Sequence, residues 1–336
     1  MNKGSANNIA YSVLDLATVS EGHSAADSFH NSLRLARSAE ELAYTRYWFA
    51  EHHNMAHVAS SATAVLIGYI AGNTSKIRVG SGGIMLPNHA PLIVAEQFGT
   101  LASLYPDRID LGLGRAPGTD QLTALEIRGA NFGAEHNFPK DIQKLQAFFS
   151  ATNSDARVRA IPGEGLDIPI WILGSSTDSA RVAAAMGLPY AFASHFAPAQ
   201  FITAINIYRQ NFQPSDTLKE PYVISCVNVV AADSDTEANR LATSLQQLFL
   251  GIVSGRRKLL QPPVDDMNTI WTEAEAFHVQ QMLAYSFIGS RATIQNTMKL
   301  FLEKTKVNEV MATSHMYDQE ARLHSYKIFA AVMQNM

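Results

Sequence analysis

The sequence lacks the features that mark the simplest assignments. It has a single cysteine, Cys226, in 336 residues, so no intramolecular disulfide can form. Cys226 sits in the apolar run Tyr222 to Val230, where a small buried hydrophobe is the expected role. No uninterrupted apolar run approaches the ~20 residues of a membrane span, and Met1 to Asn8 has none of the apolar core of a signal peptide. A cytoplasmic protein with no membrane partner is expected. There is no basic excess either: 26 Lys and Arg stand against 30 Asp and Glu, a net charge of −4, which leaves no footprint for nucleic acid. A dinucleotide loop is missing, because Gly80-Ser81-Gly82-Gly83-Ile84-Met85 lacks the last glycine of Gly-x-Gly-x-x-Gly and runs on into more strand. No His-x-His pair falls on a strand, and adjacent histidines on a strand face opposite sides, so no metal is expected.

What is present is a chain that is 47% hydrophobic and long enough for two ordinary domains or one barrel of ~250 residues or more. Strand-like and helix-like stretches alternate from end to end. Ile9 to Leu16, Tyr47 to Ala50, Ile77 to Leu86, Arg108 to Leu113, Pro169 to Leu173, Tyr190 to Ala193, Tyr222 to Ala231 and Glu309 to Thr313 read as strands, the third broken by its glycines. Helices are expected over Ser28 to Tyr44, Ala59 to Ala71, Pro91 to Leu104, Asp120 to Ile127, Pro139 to Phe149, Ala180 to Met186, Pro198 to Phe212, Thr236 to Phe249, Ser290 to Glu303 and Asp318 to Met333. Asp233 or Asp235 is the expected cap of the helix from Thr236. Eight such units without a linker predict an α/β fold, a single (β/α)8 TIM barrel over residues 1–336, with an open doubly wound sheet as the alternative. Gly251 to Tyr285, apart from a short helical piece expected around Glu273 to Leu283, fits neither a strand nor a regular crossover and reads as a lid inserted after the seventh strand-helix unit.

The strands end in chemistry. The run from Tyr47 stops at Glu51, His52 and His53, and an imidazole with an ordinary pKa of about 6.5 can give or take a proton near neutrality. Arg115 follows the fourth strand, Gly174-Ser175-Ser176 the fifth, Ser194-His195 the sixth and Ser314-His315 the last. Barrel active sites are built from these carboxyl-end loops. The hydroxyls of Ser175, Ser176 and Ser179 at a helix start, with Arg115 nearby, have the makings of an anion site or of a plain helix cap. Gly82-Gly83 is either barrel curvature or a place where a planar ligand lies against bare backbone.

Four segments in this order resemble the bacterial luciferase-like monooxygenases: Ala50-Glu51-His52-His53-Asn54, Val79 to Pro87, Arg108 to Arg115, and Gly174-Ser175-Ser176. The likeness spans nearly the whole chain and is strongest to the single-chain luciferase-like oxidoreductases. It implies a flavin barrel that takes reduced FMN as a co-substrate from a separate flavin reductase and uses O2 to oxygenate a small organic substrate. It implies His52 as catalytic residue with Glu51 and His53 in the same motif, and a non-prolyl cis peptide at Gly82-Gly83 under the flavin ring. Ser176, Ser179 and Arg115 fall where the family holds the phosphate, Gly174 and Ser175 share that turn, and Lys140 lies near the place of a second phosphate-binding arginine. Gly114 replaces the reactive cysteine of the luciferases, so light emission is not expected. A homodimer packed through early helices is implied, and small residues within Ala59 to Ala71 would permit close approach. Two other functions stay open on sequence grounds, hydride transfer with the deazaflavin F420 and a flavin-binding or subunit-partner protein without chemistry.

Overall fold

The apolar runs become strands covered on both faces. In the computed structural model, which describes residues 9–129, 132–133 and 136–336, the barrel strands are β1 (Ala10–Asp15), β2 (Arg46–Phe49), β3 (Arg78–Ser81) with its continuation β4 (Ile84–Met85), β5 (Ile109–Gly114), β6 (Ile170–Gly174), β7 (Tyr190–Phe192), β8 (Val223–Ala231) and, after an extra strand β9 (Ser286–Gly289), β10 (Glu309–Thr313). All of these pairings are parallel, and β10 pairs with β8 on one side and β1 on the other. The sheet therefore closes on itself, and the fold is the (β/α)8 TIM barrel rather than an open sheet. Met1 to Asn8 and part of the loop before Phe138 lie outside the described residues.

The helices are α1 (Ala25–Glu41), α2 (Thr63–Ala71), α3 (Pro91–Leu104), α4 (Gln121–Arg128), α5 (Phe138–Phe149), α6 (Thr177–Ala185), α7 (Phe201–Asn211), α8 (Asp235–Val253), α9 (Glu273–Met282), α10 (Arg291–Thr305) and α11 (Gln319–Met333). Neither Asp233 nor Asp235 caps α8. Ser234 does, accepting from the Glu237 N–H, while Asp235 reaches across to the Ser290 N–H at 2.6 Å and the Thr293 hydroxyl at 3.0 Å. That carboxylate ties the start of α8 to the start of α10.

Alternation along the strands sorts side chains into an outer and an inner set. On β2, Tyr47 and Phe49 join the core beneath the helices, while Arg46 and Trp48 face inward. The inner set is layered, as barrel interiors are. At the floor, Arg46 pairs with Asp110 at 2.8 Å and Glu309 at 2.9 Å, and its guanidinium lies 4.4 Å from the centre of the Trp171 ring. Above it Leu14, Trp48, Trp171, Ile224, Cys226 and Met311 form an apolar layer. Cys226 is buried there with its thiol pKa pushed up by burial, so it serves packing.

The helical piece expected around Glu273 to Leu283 is α9, and the rest of the insertion is more regular than its sequence suggests. Leu260 donates its N–H to Val19 at 3.0 Å and accepts from Glu21 at 2.9 Å, which pins the segment to the loop after β1. From α8, Thr243 bonds Val264 and Gln247 bonds the Pro262 carbonyl. Val279 of α9 is fully buried against the α8 face that carries Leu245 and Phe249. The chain then re-enters the sheet as β9, which pairs with the outer half of β8; four residues are too few to carry a periodicity signal. Among the described residues no helix is long and apolar enough to cross a membrane.

Candidate active site

The inward face of β2 carries Trp48 and, just past the strand's end, Ala50; His52 follows two residues on, where its charge is felt at His57 and His195, while Glu51 bonds across to the β3/β4 break. Glu51 is 1% exposed and accepts from His53 Nε2 at 2.9 Å, from His89 Nε2 at 2.9 and 3.0 Å, and from the Met85 N–H at 3.1 Å. Burial raises its carboxyl pKa, but the two imidazoles and the Met85 N–H outweigh burial and hold it at about 2. Glu51 is thus an ionised anchor between the end of β2 and the β3/β4 break, and His53 is committed to it. His52 is free of that network. Its Nδ1 lies 3.2 Å from the Gly118 carbonyl, which can only accept, so the hydrogen sits on Nδ1 and the lone pair on Nε2. Burial keeps the His52 pKa below the ordinary value despite the Gly118 carbonyl and Glu51, so the ring is neutral at pH 7. Gly118 has φ +66°, and a Cβ there would meet the Glu51 carbonyl at 2.9 Å, so glycine is required where that carbonyl is offered.

Three more imidazoles share the mouth. His195 follows β7, His315 follows β10 and His57 lies in the loop after β2, and each is buried. Burial is the main cause of their low pKa values, about 4 for His57 and about 3 for His195 and His315, with repulsion adding to it from Arg257 at His57, from Arg322 at His315 and from the neighbouring imidazoles. Thr18 Oγ1 lies 3.2 Å from His315 Nδ1, whereas the Nδ1 atoms of His57 and His195, the Ser314 hydroxyl and the Asn228 carbonyl oxygen are buried without a partner. Uncommitted polar atoms thus gather near the carboxyl ends of β7 and β10, in the loop after β2 and along β8, where buried polar atoms are ordinarily paired.

These histidines also set a stability profile. Their folded pKa values lie below the unfolded value of about 6.5, so the stability they permit is complete above pH 6.5 and is lost as pH falls through 4 for His57 and on toward 3 for His195 and His315. Each should cost roughly 2 kcal/mol between pH 7 and pH 5. Denaturant unfolding at the two pH values checks this, and His195→Gln should flatten the slope; a slope unchanged in that variant would contradict neutral burial of the ring.

On the opposite side of the mouth, Arg115 at the end of β5 reaches the first turn of α6, with Nη2 3.1 Å from Asp178 Oδ2. Ser176 is the N-cap of α6, yet its hydroxyl makes no capping bond, and Ser175 beside it is half-buried. Ser179 is turned the other way. Its hydroxyl donates to the Ser176 carbonyl at 2.8 Å and pairs with Tyr190 at 3.0 Å in the core, so it braces the turn instead of facing a ligand. A Cβ on Gly174 would lie 2.0 Å from Ser179 Oγ, which is why that turn begins with glycine. Lys140 is not beside Arg115. It lines a groove with His89, Arg128 and Lys144, whereas Arg128 lines both that groove and the adjoining one that contains Arg115. Arg128, held by Asn88 at 3.0 Å, is the basic residue that sequence spacing missed.

The Gly82–Gly83 peptide is cis. Both glycines have packing reasons of their own, since a Cβ on Gly82 would meet Leu14 at 2.7 Å and one on Gly83 the Gly112 carbonyl at 2.7 Å. At Gly114 the place of a side chain is taken by Met85, whose Sδ would lie 2.9 Å from a Cβ. Among the described residues no group of three or more His, Cys, Asp or Glu is disposed to hold a metal ion.

Comparison with known proteins places this geometry. The family model described as luciferase-like monooxygenase matches residues 9–307. A luciferase-like monooxygenase of Escherichia coli (strain K12) is 49% identical over 328 residues, which cover 98% of each chain. The uncharacterized protein YvbT of Bacillus subtilis (strain 168) is 52% identical over 325 residues, 96% of each chain. The crystal structure of apo-MsnO8 matches with a TM-score of 0.85 at 33% identity, covering 96% of this chain and 98% of that one.

Proposed function

Because the chain belongs to the luciferase-like monooxygenase family, and is on that ground an oxidoreductase, we propose that it uses reduced FMN and O2 to oxygenate a small organic substrate in the barrel mouth. A separate flavin reductase supplies the reduced FMN in this proposal. The observation that carries it is His52, a neutral imidazole with its Nε2 lone pair uncommitted, in a mouth where the Nδ1 atoms of His57 and His195 and the Ser314 hydroxyl also lack partners. Reduced flavin, when bound, supplies the two electrons that let one atom of O2 enter the substrate and the other leave as water.

The residues present fit that cofactor. Ser176 offers a hydroxyl with no capping duty at a helix start, and Arg115 already extends to the same turn, so the two can hold a phosphate, with Arg128 adding charge nearby. Of the two glycines at the strand break, Gly82 is part-exposed, and its backbone offers a surface for a flat ring system. His52 takes and returns a proton at Nε2, and Glu51 with His53 and His89 fixes the loop that carries it. The insertion of residues 251–285 acts as the lid that keeps water out of the mouth. A homodimer completes the proposal, since α2 leaves Val65 70% exposed and α4 leaves Leu122 76% exposed. The test is whether protein loaded with reduced FMN transfers one oxygen atom from labelled O2 to a product. A lid that works should also keep release of hydrogen peroxide low in that assay.

A further inference from the structure

We propose that Met85 is a modification site of this protein: when no substrate fills the mouth, its thioether takes the oxygen atom and becomes methionine sulfoxide. This rests on the oxygenase reading above, and it names a target of that chemistry within the chain itself.

Strand register puts this side chain in the mouth. β4 pairs with β5 so that Ile84 lies beside Leu113 and Met85 beside Gly114. Ile84 and Leu113 belong to the core beneath the helices, so alternation turns Met85 and Gly114 inward, on the face that carries Asp110 at the barrel floor. Gly114 is the last residue of β5, which sets Met85 at the carboxyl end of the interior. Two bare glycines then fix where the thioether runs. A Cβ on Gly114 would lie 2.9 Å from Met85 Sδ, and one on Gly118 would lie 2.9 Å from Met85 Cγ and 3.6 Å from Sδ. The Gly118 carbonyl lies 3.2 Å from His52 Nδ1, and the Met85 N–H is held by Glu51 at 3.1 Å. The sulfur therefore stands between the residue that precedes Arg115 and the loop whose carbonyl orients His52.

Exposure and chemistry single this sulfur out. The barrel strands carry sulfur at Met85, Cys226 and Met311. Cys226 and Met311 are packed in the apolar layer at 5% and 2% exposed, whereas Met85 is part-exposed. A thioether is a soft, polarizable group that accepts one oxygen atom and needs no deprotonation to do so. The step balances: a lone pair of Sδ forms the S–O bond to one atom of O2, the other atom leaves as water, and the two electrons and two protons come from reduced FMN, which is left oxidised. The product is a polar, chiral group between Gly114 and Gly118, beside the carbonyl on which His52 depends. A substrate seated in the mouth competes for the same oxygen atom, so sulfoxide at Met85 marks turnover without substrate.

Peptide mapping by mass spectrometry tests this, with Met186 and Met336 as references. Both are part-exposed, and they follow the last turns of α6 and α11, at the end of the barrel away from the mouth. Dilute hydrogen peroxide is first added to the flavin-free protein. Met85 should be oxidised to an extent comparable with Met186, and a Met85 left intact while both references are oxidised would overturn the proposal whatever the cofactor. Protein loaded anaerobically with reduced FMN is then mixed with ¹⁸O₂ and no substrate, with catalase present to destroy free peroxide. Labelled sulfoxide at Met85 should exceed that at either reference about tenfold or more, the advantage of a group held at the reacting centre over one reached by diffusion. Equal labelling of the three methionines, or label at Met85 only when catalase is left out, would overturn the proposal. Flavin fluorescence in the same mixture separates two failures. FMN bound with Met85 unlabelled overturns the proposal alone, whereas no FMN bound overturns it together with the function on which it rests.

Discussion

Replacing His52 with asparagine is expected to lower turnover about 10²-fold or more while fold and FMN affinity stay nearly intact, the usual scale for loss of a positioned acid or base. The substitution is chosen for what it keeps. An asparagine amide can donate to the Gly118 carbonyl as Nδ1 does, so the loop should hold its shape. It brings no atom of suitable basicity to the place of Nε2. The Glu51 network points away from the mouth, so its bonds to His53, His89 and Met85 are untouched by a change on the inward side. Stability should therefore stay near that of the wild type, and the loss should appear in kcat, followed as oxygen uptake with a reductase supplying reduced FMN. Unchanged turnover would remove His52 from the mechanism and leave the mouth without a proton acceptor at that face.

Riboflavin should bind at least ~10²-fold more weakly than FMN, because the phosphate is expected to gain several charge-assisted hydrogen bonds of roughly 1.5–3 kcal/mol each before solvation offsets part of them. Arg115→Ala should narrow the gap between the two ligands, and a change at His52 should not. The geometry adds a second arm. Arg115 is now paired with Asp178, and both side chains are more than half exposed, so the pair itself contributes little to stability. Asp178 nonetheless places a negative charge at the helix start where the phosphate would lie. Asp178→Asn should therefore tighten FMN and leave riboflavin nearly unchanged. Equal binding of FMN and riboflavin to the wild type would make Ser176 and Arg115 ordinary surface and cap residues.

Much of this site is legible in the sequence because a buried parallel strand obeys a simple alternation. Once Tyr47 to Ala50 is read as a strand, Trp48 and Ala50 share its inward face and Glu51, His52 and His53 follow at the mouth where it ends, together with the ends of the other strands. The cis peptide at Gly82–Gly83 and the hydroxyl turn after β6 are likewise where the resemblance puts them. What the sequence hides depends on rotation and distance. Ser176 and Ser179 look equivalent in a row of hydroxyls, yet one is an N-cap with a free hydroxyl and the other is bonded to Tyr190 in the core. Lys140 and Arg128 stand twelve residues apart in the sequence, and no periodicity says which of them shares a groove with Arg115. Glu51 looks catalytic in a row of three ionisable residues, but its burial and its imidazole and N–H donors make it an anchor. His57 lies eight residues beyond β2 in a loop without regular pattern, and its place in the mouth depends on the Val19 and Leu260 pairings made from two other parts of the chain.

The most direct test is a single turnover with isotope. Protein loaded anaerobically with reduced FMN is mixed with ¹⁸O₂ and a panel of aldehydes, alkanes, thioethers and their carboxylate-bearing counterparts, and the products are weighed by mass spectrometry. One labelled oxygen atom in a product, the other in water, and little hydrogen peroxide is the predicted result. Product formed without label, or formed with reduced F420 and not with reduced FMN, would contradict a flavin monooxygenase on this barrel.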